Sequence, residues 1–366
     1  MKLRIVSFTR RGMELSRRVG EALKEERETD LFTKFGGFSE REYKEKPEST
    51  DKVCEHRMAV RIIENLSRWT GEQFEEGNAV LFIGACGIAV RTIAPFVKDK
   101  LSDSPVLVMD EAGSFVIPIL SGHYGGANEL AEEIAEKLGG TAVLTTASDV
   151  NGLFAVDVFA RKNELAICNR KGIAKVASAV LNQETVTAAV AGEYRGKVPE
   201  ELTLVPYPVT QRVSFLVSPF LADAEYADLQ LCPKAYVVGI GCKRGKALKE
   251  IEEVVGRQLE QAGIRLEAVA ALASIDRKKG EEGLVRYAEK YRLPFMTFSS
   301  EVLREITGEF TTSSFVEEQV GVDNVCERSA MAACKEGGSL LLSKYAENGI
   351  TVAIAKRKWS VAFDEA

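Results

Sequence analysis

The chain reads as a multi-domain α/β protein, two open α/β sheet domains flanking a small middle domain. Short apolar runs alternate with amphipathic helical stretches at both ends of the sequence. Between them lies a less regular, proline-bearing stretch containing Pro199, Pro206, Pro208 and Pro219. The length, 366 residues with 45% apolar content, suits two or three packed cores. These observations set domains at 1–146, 147–233 and 234–366, the second boundary falling near 225–234, where a fresh strand pattern begins.

Each element follows in order. Residues 2–9 (KLRIVSFT) predict a strand and Met13 to Glu26 a helix. The charged stretch 39–52 predicts a surface loop. His56 to Trp69 predicts a helix, with Met58, Ile62, Leu66 and Trp69 on one side. Ala79 to Gly84 is a buried strand, Ile88 to Val97 a helix, and Val106 to Met109 and Phe115 to Leu120 are strands. A helix over 125–138 leads to a strand over Thr141 to Thr146. In the middle segment, GIAKVASAVLNQ is helical and ETVTAAVAGEY strand-like. From Lys234 the alternation resumes: strand 235–241, helix Leu248 to Ala262, strand 269–274, helix Gly280 to Tyr291, strand 294–298 and helix Val325 to Cys334. A central strand is expected at 350–355. In such sheets ligands bind beyond the C-terminal ends of the strands.

Composition excludes several classes. A net charge of -6 argues against a nucleic-acid partner. The opening MKLRIVSFTRRGMELSRR lacks the apolar core of a signal peptide, and no stretch approaches the ~18–20 apolar residues of a membrane span. Seven irregularly spaced cysteines fit a reducing cytosol. With two histidines, no HExxH and no CxxC, a dedicated zinc site is not expected. A homo-oligomer stays open.

The segment with most chemistry is DEAGSFVIPILSGHYGGANELAEEIAEKLGG, Asp110 to Gly140. His123 sits in its glycine-rich turn, between a buried strand and a helix carrying Leu130, Ile134 and Leu138 at helical spacing. A helix N-terminus suits an anion or developing oxyanion, and disfavours imidazolium, so His123 is the candidate base. Ser121, Gly122, Gly125, Gly126 and the Asn128 amide are candidates to hold the oxyanion or a carboxylate. The alternative is a histidine that only braces its loop.

GACGIAVR places Gly84 and Gly87 at a turn off a buried strand, with Arg91 one helical turn inside. Cys86 between the glycines is read as packing, with a nucleophilic thiol the lesser alternative. TTASDVNG ends a strand. Ser148 and Asp149 are assigned to capping, while Thr145 and Thr146 keep a ligand role. VVGIGCKRGK fails both the Walker and the GxGxxG patterns, yet Lys243, Arg244 and Lys246 at a strand-to-helix turn suit a carboxylate or phosphate. The alternative leaves these cations solvated. LASIDRKKGEEGL sets Ser274, Asp276 and Lys278 just after a strand, where they would extend a single cationic cleft. Cys326 and Glu327 open a late helix.

With GACGIAVR, the SGHYGGAN segment, TTASD, VVGIGCKRG, LASIDRKKGEEGL and VGVDNVCERSAM in this order, the chain resembles the cobalt-precorrin-5A hydrolase family. The resemblance covers nearly the whole chain and implies a hydrolase of anaerobic cobalamin biosynthesis. Such an enzyme opens the lactone of a cobalt corrinoid and releases acetaldehyde, giving cobalt-precorrin-5B. It implies no separate cofactor, the cobalt being carried by the substrate. His123 would then activate water or take the proton that triggers fragment loss. Asn128 and the glycine N–H groups would hold the oxyanion. Arg91, Lys243, Arg244 and Lys278 would receive the macrocycle's carboxylates. Other classes stay open: a non-catalytic corrinoid carrier, in which His123 ligates cobalt and no aldehyde forms; a nicotinamide enzyme, against which the missing GxGxxG argues; and a hydrolase of simple esters.

Overall fold

The computed structural model describes residues 1–36, 58–99, 101–334 and 337–364. The loop expected at 39–52, and the first two residues of the helix expected from His56, lie outside them. The chain divides into two compact units, Met1–Gly152 and Leu153–Ala366.

The first unit is built on a seven-stranded sheet. Its elements are β1 (Leu3–Ser7), α1 (Arg10–Ala22), β2 (Thr29–Thr33), β3 (Val60–Ile62), α2 (Leu66–Glu76), β4 (Ala79–Ile83), α3 (Cys86–Ile93), β5 (Val106–Met109), β6 (Phe115–Leu120), α4 (Ala127–Leu138), β7 (Thr141–Ala142) and α5 (Ala147–Asn151). The strand order is β3-β2-β1-β4-β5-β6-β7. β1 and β4 are buried along their whole length, as strands covered on both faces must be. The helix α1 begins three residues earlier than expected because the Thr9 hydroxyl accepts from the Gly12 N–H and caps it. The helix expected from His56 is instead the short strand β3 followed by α2, which starts where Asn65 accepts from the Arg68 N–H. The strand expected to reach Thr146 ends at Ala142.

One feature of this sheet governs the placement of the site. β5 and β6 are antiparallel, Val106 facing Leu120 and Met109 facing Val116. Only five residues join them, too few for the crossover that parallel strands need. The Asp110 carboxylate accepts from the Ser114 and Phe115 N–H groups and closes the turn, with Gly113 left-handed at φ 77. β7 then runs parallel to β6. The ends of β6 and β7 therefore open on the edge opposite to the ends of β1, β4 and β5, roughly 13 Å away across four residues of strand. The helix α4 lays Leu130, Ala131, Ile134 and Ala135 into the core with Ile5, Leu81 and Leu107; each large aliphatic contributes roughly 2 kcal/mol.

The second unit holds two five-stranded sheets. The segment of the first contains α6 (Val156–Lys162), β8 (Ala166–Ile167), α7 (Arg170–Leu181), β9 (Val186–Val190), β10 (Glu193–Arg195), β11 (Leu202–Leu204), β12 (Val213–Val217) and β13 (Ala227–Cys232); its sheet is ordered β11-β9-β12-β13-β8, with β10 outside it. The proline-bearing stretch is thus more regular than its sequence suggests, for β12 and β13 lie in its second half. The second sheet comprises β14 (Tyr236–Cys242), α8 (Leu248–Gln261), β15 (Val269–Ile275), α9 (Glu282–Lys290), β16 (Phe295–Phe298), α10 (Ser300–Glu305), α11 (Ser314–Val320), α12 (Cys326–Cys334), β17 (Ser339–Glu347) and β18 (Ile350–Lys356), ordered β16-β15-β14-β18-β17. β18 is an interior strand, as expected, though antiparallel to β14. A last strand, β19 (Ser360–Ala362), pairs with β10 in a separate two-stranded sheet, and Phe363 stacks on Phe159 with ring centroids 4.9 Å apart.

Among the described residues no helix is long and apolar enough to cross a membrane.

Candidate functional site: an imidazole–carboxylate pair at a glycine turn

The turn between β6 and α4 folds back on itself because side chains are absent where backbone must pass. A Cβ on Gly122 would fall 2.5 Å from Asn128 Oδ1, and one on Gly125 would fall 2.4 Å from Ser121 Cβ. Gly126 is left-handed at φ 84 and stands as the N-cap of α4. Ser121 itself is left-handed at φ 54, and its hydroxyl donates to the Asp103 carbonyl at 2.8 Å. That leaves the Ser121 hydroxyl a bracing role within the turn.

His123, with its side chain 15% exposed, lies 2.9 Å through Nε2 from Asp149 Oδ2. The Ser148 hydroxyl oxygen stands 3.1 Å from the same nitrogen. An ionised carboxylate only accepts, so Nε2 carries the hydrogen and the lone pair of the neutral ring lies on Nδ1. Ser148 can then only share that hydrogen, and the ring does not activate its hydroxyl. Asn128, buried in the first turn of α4, donates through Nδ2 to Asp149 Oδ2 at 2.5 Å and to Thr146 Oγ1 at 3.2 Å. One carboxylate oxygen is thus held by an amide and an imidazole, an arrangement that fixes the ring's tautomer and angle.

Several expectations change here. Ser148 and Asp149 do not cap α5, which has no side-chain cap; both face His123. The Asn128 amide donates to both Asp149 and Thr146, so its N–H groups are engaged rather than aimed at an oxyanion. The N–H groups of Gly126, Ala127 and Asn128 donate to the carbonyls of His123, Ser121 and Gly122, which occupies the first-turn donors expected to meet an anion. Thr145 is exposed in the segment after β7.

Gly84, Gly87 and Arg91 lie elsewhere. They follow β4, on the sheet edge opposite to His123. A Cβ on Gly87 would meet the Arg91 guanidinium at 3.4 Å, so the exposed arginine folds back over the start of α3. This is a separate cationic helix start, with Cys86 exposed beside it.

In the second unit, β14 and β15 run parallel, so the turns that follow them share an edge. Lys243 and Arg244 are exposed there. Lys278 Nζ is 2.8 Å from Glu281 Oε2, and the Gly245 N–H donates to Glu281 Oε1 at 2.6 Å. Burial alone would raise the Glu281 carboxyl. The Lys278 ammonium, the Gly245 N–H and the nearby Arg244 charge outweigh it and hold the acid below the usual carboxylate range. The expected cationic patch therefore contains a carboxylate that ties its two turns together. Ser274 is not part of that surface: it is fully buried in β15 and donates to the Ile240 carbonyl at 2.6 Å. Glu327 is fully buried, and its carboxylate accepts from the N–H groups of Thr311 and Lys344, the Thr311 hydroxyl and the Asn324 amide.

Fold and site together define a multi-domain α/β protein with an imidazole–carboxylate pair at a glycine turn. Three family models match in sequence order: the N-terminal model of cobalamin synthesis G over residues 68–149, a cobalamin biosynthesis central region over 154–233, and the cobalamin synthesis G C-terminus over 236–355. Among curated relatives, a cobalt-precorrin-5A hydrolase of Salmonella typhimurium is 35% identical over 77% of this chain and 83% of its own. One of Priestia megaterium is 30% identical over 96% of this chain and 94% of its own. A probable cobalt-precorrin-5A hydrolase of Methanocaldococcus jannaschii is 30% identical over 75% and 84%. The chain belongs to the cobalt-precorrin-5A hydrolase family.

Proposed function

We infer that this chain is itself a cobalt-precorrin-5A hydrolase, opening the lactone of the cobalt corrinoid and releasing acetaldehyde to give cobalt-precorrin-5B. The observation that carries the site assignment is the His123–Asp149 contact of 2.9 Å, inside the matched N-terminal segment. Lactone hydrolysis needs a base for water and a donor for the tetrahedral oxyanion. Oriented by Asp149, His123 takes the water proton as the water oxygen adds to the lactone carbonyl. Collapse breaks the ring C–O bond and leaves a carboxylate and a hydroxyl on the two-carbon fragment. That hydroxyl then loses its proton, its oxygen forms the carbonyl of acetaldehyde, and the electron pair of the breaking C–C bond passes to the macrocycle, which is protonated.

Asp149, Asn128 and Thr146 act through His123 and are positioning residues. The N–H groups of Gly122 and Gly125 are the proposed oxyanion donors. Direct water attack is favoured over an acyl-enzyme on Ser148, since the nitrogen nearest that hydroxyl is the protonated one. Lys243 and Arg244 are offered as carboxylate receivers of the second unit, Lys278 only through exchange with Glu281, while Arg91, on the sheet edge opposite to His123, is not assigned to the substrate held there. The reading takes the cobalt as part of the substrate and requires no nucleic acid.

Anaerobic incubation with cobalt-precorrin-5A, trapping aldehyde and following the corrinoid by mass spectrometry, tests this. Acetaldehyde from the native chain, with His123→Ala at least ~100-fold slower while still binding substrate, is the expected result. Equal release by both proteins removes His123 as base. Tight binding with no aldehyde from either supports a carrier instead.

A further inference from the structure

The second unit contains a cavity of about 390 Å³ that neither glycine turn accounts for. Register places it: Cys242 faces Ile350 and Tyr236 faces Lys356, so the Lys356 end of the sheet lies a whole strand, roughly 23 Å, from the Lys243 turn. Its floor is the link from β18 to β19, where Lys356, Arg357, Lys358 and Trp359 follow one another. Its facing wall is the turn after β9, with Gly192 and Glu193. A Cβ on Gly192 would sit 2.6 Å from the Trp359 ring, so bare backbone rests on one part of the indole. A Cβ on Gly337 would sit 2.6 Å from Lys358 Cε, so the lysine stem lies along the rim.

Three adjacent cations around one concavity repel each other, and a single carboxylate, Glu193, lines it with them. Among the described residues no ion pair to a carboxylate engages Lys356, Arg357 or Lys358. In a chain of net charge -6, such a concentration of positive charge points to an anion. The indole adds a flat apolar surface, which an inorganic ion would leave unused. The volume lies at the small end of ligand sites. It admits acid-bearing arms or a small acid.

We propose that this cleft is a second binding site, taking the carboxylates of an organic polyanion on Lys356, Arg357 and Lys358 with its body against Trp359. Two sources share that chemistry: the acid side chains of a macrocycle held elsewhere, and a free small polycarboxylic acid. Isothermal titration calorimetry on the full chain separates them, using benzene-1,3,5-tricarboxylate, cobyrinic acid (a corrin with free carboxylates) and inorganic phosphate as probes. The component that counts is the one removed by Lys356→Gln/Lys358→Gln. Both lysines are exposed, so the variant should keep the native circular dichroism spectrum, and Lys358→Glu alone provides a second variant.

Saturable binding of an organic probe, weakened about tenfold by the double variant, supports the site. Loss confined to cobyrinic acid assigns it to macrocycle arms, and loss with the tricarboxylate assigns it to a small acid. Absence of organic binding, phosphate binding of equal strength, or a loss under threefold in both variants overturns it. Because no turnover is read, failure here leaves the hydrolase reading to its own aldehyde assay.

Discussion

The turn after the half-buried β6 and the turn after the buried β14 both carry glycines where a helix begins, yet they are organised oppositely. In the first, a Cβ on Gly122 or Gly125 would fall 2.4–2.5 Å from neighbouring atoms, and a buried amide and an imidazole converge on one carboxylate oxygen. In the second, Gly245 has nothing within 4 Å of where a Cβ would stand, and Lys243 and Arg244 are exposed. A glycine turn whose missing side chains are filled by neighbours fixes geometry, as proton transfer requires. One whose missing side chains face open space leaves charges adaptable, as recognition of several carboxylates requires.

Asp149→Asn should break the first turn most deeply. An amide can donate to Nε2 and reverse the ring's tautomer, so acetaldehyde release in single turnover should fall about 10²–10⁴-fold. Thermal unfolding should barely move. A variant that unfolds readily but keeps its rate when folded would make Asp149 structural.

Glycine replacement sharpens the contrast. Gly122→Ala must displace Asn128 and should lower stability by about 1–3 kcal/mol, with at least tenfold loss of turnover in the folded fraction. Gly245→Ala, strained only by its φ of 82, should cost about 1–2 kcal/mol and leave kcat intact. Equal effects of the two on kcat would erase the distinction. Lys243→Ala and Arg244→Ala should each raise KM by up to about tenfold at unchanged kcat, most at low ionic strength.

The smallest effect concerns Glu281. Its carboxyl is held below the usual range, so its stabilising contribution is complete above the ordinary glutamate value of about 4.3 and is lost as pH falls through the lower folded value. Glu281→Gln should therefore cost about 1 kcal/mol at pH 7 and flatten the decline of stability below pH 4 in urea unfolding.

Much of this was legible in the sequence. The sheet–helix alternation, the strand at 350–355 and the His123 turn could be read because periodicity and glycine placement are local signals. Partners of His123 were harder. Asp149 and Ser148 looked like caps since SD before a short helix is a capping pattern, and only the reversal of β6 brings β7 and α5 back to the same edge. The five-residue link DEAGS between two apolar runs was the available sign of that reversal. Strand β3 escaped because its three residues match a helical apolar spacing equally well. Ser274 failed because the last residues of a strand that continues to Ile275 are still inside the sheet.

The pairing of β10 with β19 has a temporal consequence. Asn163 exchanges two hydrogen bonds with Ala362, 199 residues further on, and Phe159 waits for Phe363 to complete its aromatic stack. During synthesis the first unit emerges with every described strand it needs, so it can close while translation continues. The middle sheet emerges next but stays open along this seam until Ser360–Ala362 have left the ribosome. Nascent chains halted before that point should carry a folded first unit and a protease-sensitive middle, making the seam around β19 the last part of the molecule to be set.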